Sequence, residues 1–309
     1  MNEPILLQHS ASGANCTIYP YGATITSFET SKKHQVLFVS KLAKRDGSKA
    51  IRGGIPLVFP QFGQPNKDMP QHGFLRCNYW TLGQTFDNET EAGCEFTLDL
   101  KNVVHARGSS DGLWSLDSSQ KSGIDVTLTL SVKITAMTLS TTLHITNPGK
   151  IPFEYQTLFH TYYKVYGSTA LQPNCCNVQG LEGYHVYDQI TKEHSVQGDE
   201  KIMIDREVDR IYTPPSSQGV KDVNVTISTG NDGSKVSMNA FARMDGEDIP
   251  VSCVVWNPFV NKSKAMADFG DEEYNEMICI EPGILSGKDV LKVGQTMEFT
   301  QIISVLDQL

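Results

Sequence analysis

The chain has 309 residues, of which 39% are hydrophobic and 20% charged, and its 26 Lys and Arg against 35 Asp and Glu leave a net charge of −9. Those proportions belong to a soluble globular protein with a full core, in one large domain or two ordinary ones, and the lack of any basic block excludes nucleic acid as the main partner. No apolar run reaches the length of a membrane span, and MNEPILLQHS has neither the charged start nor the apolar core of a secretory signal, so no membrane partner and a cytoplasmic location are expected.

In chain order, the first strand pattern is Gln35–Val39. Residues 51–80 follow, with the Gly53-Gly54 pair and Pro56, Pro60, Pro65 and Pro70, which exclude helix or central strand over most of the segment. The same stretch is rich in Phe, Ile, Leu, Val and Trp, so it is expected to pack down as a loop that holds its polar groups Arg52, Gln71, His72 and Arg76 in place. Arg52, Lys67 and Arg76 face a single Asp68 here, a cationic island on an acidic protein and a natural grip for an anion. Phe59, Phe62 and Phe74 read as packing for this loop rather than as ligand-stacking surfaces.

Cys94, Phe96, Leu98 and Leu100 alternate with polar residues, as do Ile124, Val126, Leu128, Leu130 and Val132, the mark of strands with one buried face. Leu139, Thr141, Leu143 and Ile145 read as an antiparallel neighbour ending at the turn Asn147-Pro148-Gly149. Further strand patterns are Phe153–Val165, Val223 to Ile227, Val251–Trp256, Met277–Glu281, and Met297, Phe299 and Ile302, where broken alternation suggests a bulge. Helical periodicity is scarce, and its best candidate is a short piece within Lys262–Phe269. Many short strands with turns between them, without a linker or repeat, predict one all-β domain over 1–309, a sandwich or a barrel.

The seven cysteines are odd in number and include no C-x-x-C pair, so reduced thiols are expected, and neither a structural metal nor a cofactor. No H-E-x-x-H or G-x-S-x-G occurs. What remains is polar residues lodged in apolar strands. His160 lies in Thr157-Leu-Phe-His-Thr-Tyr-Tyr163; its plain structural alternative is a core histidine on a backbone carbonyl. Glu281 closes the apolar strand Met277–Ile280, where a carboxylate is costly unless paired or used. Asp209, in Val208-Asp-Arg-Ile-Tyr212, is by default a surface ion-pair partner.

Together these residues resemble the phosphosugar branch of the aldose 1-epimerase family, the glucose-6-phosphate 1-epimerases or hexose-6-phosphate mutarotases. The resemblance rests on IRGGIPLVFPQFG at 51–63, PQHGFLR at 70–76, LFHTYYKV at 158–165, DRIY at 209–212, VVWNPF and KSKAMADFGDEEY within 254–274, and ICIEPG at 278–283. It implies a galactose-mutarotase-like β-supersandwich with a groove across one sheet. It marks His160 and Glu281 as the catalytic pair and Arg52, Gln71, Arg76 and Asp209 as substrate contacts, with His72 a possible addition. Phe159, Phe259, Tyr163-Lys164 and Cys77-Asn78 depart from the family's pattern, and the region 193–207 is longer.

The chemistry so implied is exchange between α and β anomers of a hexose 6-phosphate. Glu281 would take the C1 hydroxyl proton and His160 would protonate the ring oxygen, with no cofactor, and Arg52 and Arg76 would hold the phosphate. The alternatives are a general aldose 1-epimerase on unphosphorylated sugars, a non-catalytic sugar-phosphate-binding protein, and a glycoside hydrolase, which usually needs two carboxylates. A monomer is expected.

Overall fold

The computed structural model describes residues 3–99, 103, 125–215, 219–286 and 289–306. Strand pairing among them is antiparallel throughout the named sheets. A nine-stranded sheet is centred on Thr296–Leu306, which pairs with Lys235–Met244 on one side and Thr138–Thr146 on the other. An eight-stranded sheet runs His194–Val196, His185–Asp188, Val208–Thr213, Ser252–Asn257, Met277–Ile284, Thr157–Phe159 and Leu57–Val58, with Tyr162–Lys164 also paired to Met277–Ile284. A three-stranded sheet, Ile5–Gln8, Asn15–Tyr19 and Thr24–Glu29, precedes them.

The all-β expectation is met, and period-2 alternation sorts the residues of the eight-stranded sheet. One face sends Phe159, Tyr163, Val208, Tyr212, Cys253, Val255, Ile278 and Ile280 into the large core, together with Leu130, Leu143, Phe299 and Ile303 of the nine-stranded sheet. The opposite face carries a smaller cluster: Leu158, Tyr162, Val254, Trp256, Met277 and Cys279, with Phe38, Phe269 and Tyr274 from flanking segments. Asp209, His160 and Glu281 share the alternation phase of this second face.

Several expectations are corrected. The run Phe153–Val165 is not one strand but three short pieces, Phe153–Glu154, Thr157–Phe159 and Tyr162–Lys164. Gln35–Val39 makes only isolated bridges, at Gln35, Leu37 and Val39. The helix is Phe259–Ala265, so the short piece expected within Lys262–Phe269 is met only at 262–265, and the helix begins three residues earlier. Its start is fixed by Pro258 and by Asn257, whose side-chain oxygen accepts the Phe259 N–H at 2.9 Å, and this turn chemistry outweighs apolar periodicity. Thr296–Leu306 has no bulge in its pairing: Met297, Phe299, Gln301 and Ile303 keep one inward face. The break in alternation is Gln301, a buried polar residue that accepts the Thr161 hydroxyl at 2.9 Å and donates to the Tyr163 hydroxyl at 3.4 Å. Leu100 and Ile124 lie outside the described residues.

The segment 51–80 packs as expected. Phe59, Phe74 and Leu75 are fully buried, and Met69 and Trp80 nearly so. The Gly53-Gly54 pair is required here. Gly53, at φ 122°, and Gly54, at φ 69°, press against the backbones of Phe38–Val39 and Ile25, where any Cβ would overlap. That close approach sets Arg52 beside the second face of the eight-stranded sheet.

Candidate active site

His160 falls in the gap between two short strands, yet the pairing register on Met277–Ile284 is the same on both sides of it, with Leu158 opposite Gly283 and Tyr162 opposite Cys279. His160 therefore stands directly across from Glu281, and cross-strand neighbours on one face bring their side chains together. His160 Nδ1 lies 3.3 Å from Glu281 Oε1. Neither His160 Nδ1 nor Glu281 Oε2 is satisfied by a well-aligned hydrogen bond, although both are buried. Polar atoms left bare in this way cost free energy unless something binds them.

The imidazole is walled by rings: Tyr162 stacks on it at 4.9 Å, while His72 and Trp256 meet it edge-on at 5.6 and 5.9 Å. Burial holds His160 well below the usual histidine range, and the charges of Arg76 and Arg52 push the same way. Burial raises the Glu281 carboxyl well above the ordinary range; Asp209 adds to the rise, and Arg76 opposes it. Both shifts favour the neutral form of each group over its charged form.

A cavity of 360 Å³ opens over this pair, lined also by Arg52, Phe62, Gln71, His72, Asp209, Trp256 and Lys262. It adjoins a second cavity of 320 Å³ through two shared residues, Arg52 and Gln71, and the second adds Ser48, Lys49, Arg76, Tyr162 and Asp268. A larger cavity of 420 Å³ lies elsewhere, lined by Thr17, Lys41 and Lys164 among others, and contains no comparable acid–base pair.

Every site residue expected from the sequence lines one of the two adjoining cavities. Arg52 is already oriented: its Nη2 and Nε reach Asp268 at 3.3 and 3.4 Å, and its Nη1 donates to the Tyr162 hydroxyl at 3.3 Å. Tyr162 and Asp268 raise its pKa, against the pull of burial. Arg76 donates through Nη2 to the Gln71 carbonyl at 2.9 Å, and its buried Nε has no partner. His72 sits at φ 65°, with its Nδ1 accepting the Gly63 N–H at 3.1 Å, which leaves the ring proton on Nε2. Asp209 both lines the cavity and pairs: Gln189 Nε2 donates to it at 2.5 Å, and Lys262 Nζ stands 3.7 Å away.

Other expectations shift. Lys67 lines neither cavity, and Lys49 takes its place among the cations. Phe59 and Phe74 are core packing, whereas Phe62 faces the cavity beside His72 at 5.3 Å. Sequence reading missed Gln189, Lys262, Tyr162 and Asp268. The signal available for Asp268 and Lys262 was that both lie in the quoted motif at 262–274.

The chain matches the family model described as aldose 1-epimerase over residues 4–304. A protein of Cenchrus ciliaris named "Putative glucose-6-phosphate 1-epimerase" is 31% identical over 291 residues, covering 91% of this chain and 79% of that one. A protein of the same name from Escherichia coli K12 is 26% identical, over 92% and 84% of the two chains. Among solved structures, the Slr1438 protein from Synechocystis sp. PCC 6803 superimposes with a TM-score of 0.73 at 17% identity, over all of this chain and 97% of that one. A galactose mutarotase-like protein from Lactobacillus casei gives 0.64 at 15% identity, over 98% and 100%. Likeness at that identity speaks for the fold.

Proposed function

The chain belongs to the aldose 1-epimerase family, and from that premise we propose that it exchanges the α and β anomers of hexose 6-phosphates, glucose 6-phosphate first among them. The observation that carries the proposal is the pair of adjoining cavities: one holds the opposed His160 and Glu281, the other gathers Arg52, Arg76 and Lys49. A sugar ring over the acid–base pair would direct its C6 phosphate past Arg52 toward Arg76.

The reaction needs one proton taken from the C1 hydroxyl and one given to the ring oxygen. The C1–O5 bond then breaks to an open aldehyde, which turns about C1–C2 and closes on its other face. Glu281 in its carboxylate form takes the first proton and His160 in its imidazolium form gives the second, so the reactive state is the ion-paired tautomer that burial disfavours; closure reverses both transfers. An acid and a base held 3.3 Å apart suit such a reversible exchange, because each group can both give and take a proton. Asp209 accepts from sugar hydroxyls, and the oriented fork of Arg52 offers the phosphate charge-assisted bonds.

General epimerisation of unphosphorylated sugars is the alternative reading, and the cationic second cavity weighs against it. Exchange NMR on glucose and glucose 6-phosphate separates the two: the proposal requires exchange well above the spontaneous rate with the phosphosugar and far less with glucose. Binding without acceleration would mean a sensor, and release of sugar from a glycoside a hydrolase.

A further inference from the structure

Cys279 lies two residues before Glu281 on the same strand, and the alternation turns both toward the groove face. It is fully buried and does not line the cavity. One donor atom from each of Cys279, Glu281 and His160 lies within 4.8 Å of the other two. The three donors are a sulfur, an oxygen and an imidazole nitrogen, and two of the three residues carry buried atoms with no hydrogen-bond partner.

From this donor set we infer that the site takes up a borderline-soft divalent cation, Zn²⁺ in particular, as an inhibitor that occupies the acid–base pair. Three protein ligands of these types with an open fourth position are a familiar zinc arrangement. Donor atoms about 2.0–2.3 Å from a tetrahedral zinc stand roughly 3.3–3.8 Å apart. The His160–Glu281 separation of 3.3 Å already fits, and the widest pair, within 4.8 Å, must close by no more than about 1.5 Å. Binding releases to solvent whatever protons the Cys279 thiol and the Glu281 carboxyl carry. A thiolate, a carboxylate and a neutral imidazole then balance the two positive charges, so no net charge is added beside Arg52 and Arg76. The fourth position faces the cavity and takes water. With the metal in place, neither His160 nor Glu281 is free to move a proton.

The test uses the full-length protein stripped with chelator. Cd²⁺ is titrated in while thiolate-to-metal charge-transfer absorption is followed; separately, Zn²⁺ is titrated into the glucose 6-phosphate exchange assay. The expected results are a charge-transfer band at one equivalent that Zn²⁺ competes away, and inhibition by Zn²⁺ that chelator reverses. Cys279→Ser and Cys279→Ala should abolish the band. Each should raise the inhibitory zinc concentration by at least about 100-fold, the upper end of what loss of a group merely supporting a ligand costs, while exchange without metal persists. The absence of a band in the wild type overturns the inference, as does equal zinc sensitivity in the Cys279 variants. The inhibition arm rests on the proposed anomer exchange, and the spectroscopic arm does not. A band in a protein without exchange activity would sink the functional proposal and leave the metal site standing.

Discussion

Replacing Arg76 with Ala tests the phosphate assignment most sharply. One guanidinium nitrogen, Nη2, is engaged with the Gln71 carbonyl, and the buried Nε has no partner. A phosphate that reaches Nε therefore gains a charge-assisted bond without breaking an existing one. Loss of one such bond, worth about 1.5–3 kcal/mol, predicts a roughly 10- to 100-fold loss in handling glucose 6-phosphate, at about 1.4 kcal/mol per tenfold. The loss should fall on KM, because the phosphate is held alike in the ground and transition states. A second signature follows from charge. Arg76 holds the Glu281 carboxyl down, so without it Glu281 protonates at higher pH and the acid limb of the kcat/KM profile moves up. Anomer-exchange NMR across pH, on glucose 6-phosphate and glucose, reads both effects. An equal loss on the two sugars, or a fall confined to kcat, would refute the reasoning.

His160→Asn and Glu281→Gln should each slow exchange by about 10²–10⁴, the range for losing a general acid or base, and near-wild-type rates by NMR would dismiss the pair. Asp209→Asn should move the acid limb the opposite way from Arg76→Ala: Asp209 raises Glu281, so its neutral replacement lets Glu281 stay ionised to lower pH. Treatment with EDTA should leave exchange intact, and a loss that added metal restores would show a required ion. Gly73→Ala should destabilise the protein by several kcal/mol, about the size of the larger single-residue effects, because at φ 72° its Cβ would overlap the Phe59 carbonyl and Pro60 nitrogen; a denaturant midpoint like the wild type's would contradict that packing.

Strands were legible where period-2 alternation ran unbroken. Glu281 stood out as a carboxylate closing the apolar run Met277–Ile280, but that strand is buried on both faces, so its sequence did not say which face Glu281 takes. His160 was harder, since Phe153–Val165 reads as one strand-like run and the breaks at Tyr155 and His160 leave no trace in composition. The strands Ile5–Gln8, Thr81–Asp87 and Lys235–Met244 escaped notice. Thr81–Asp87 is exposed along its whole length and so lacks a buried-face pattern to read. Asp268 and Lys262 could not be assigned roles, because their partners Arg52 and Asp209 are 216 and 53 positions away in the chain. Such long-range pairs are set by the sandwich, and local sequence carries no record of them. Among the departures from the family pattern, Phe159 stacks on Phe299 at 4.6 Å in the core, and Tyr163 supplies the hydroxyl that Gln301 meets.

Gln301 bears on how the two sheets are held against each other. Apolar side chains packed face to face attract without preferring one lateral position strongly over another, so a purely hydrophobic sandwich tolerates small sliding. Gln301 reaches across the core from the nine-stranded sheet to Thr161 and Tyr163, the inward-pointing residues that follow His160 and flank Tyr162. A slide of an ångström or so would pull both hydrogen bonds out of range and strand three polar groups in the dark of the core. The far sheet, which never meets the cavity, therefore acts as the datum from which the position of His160 is measured.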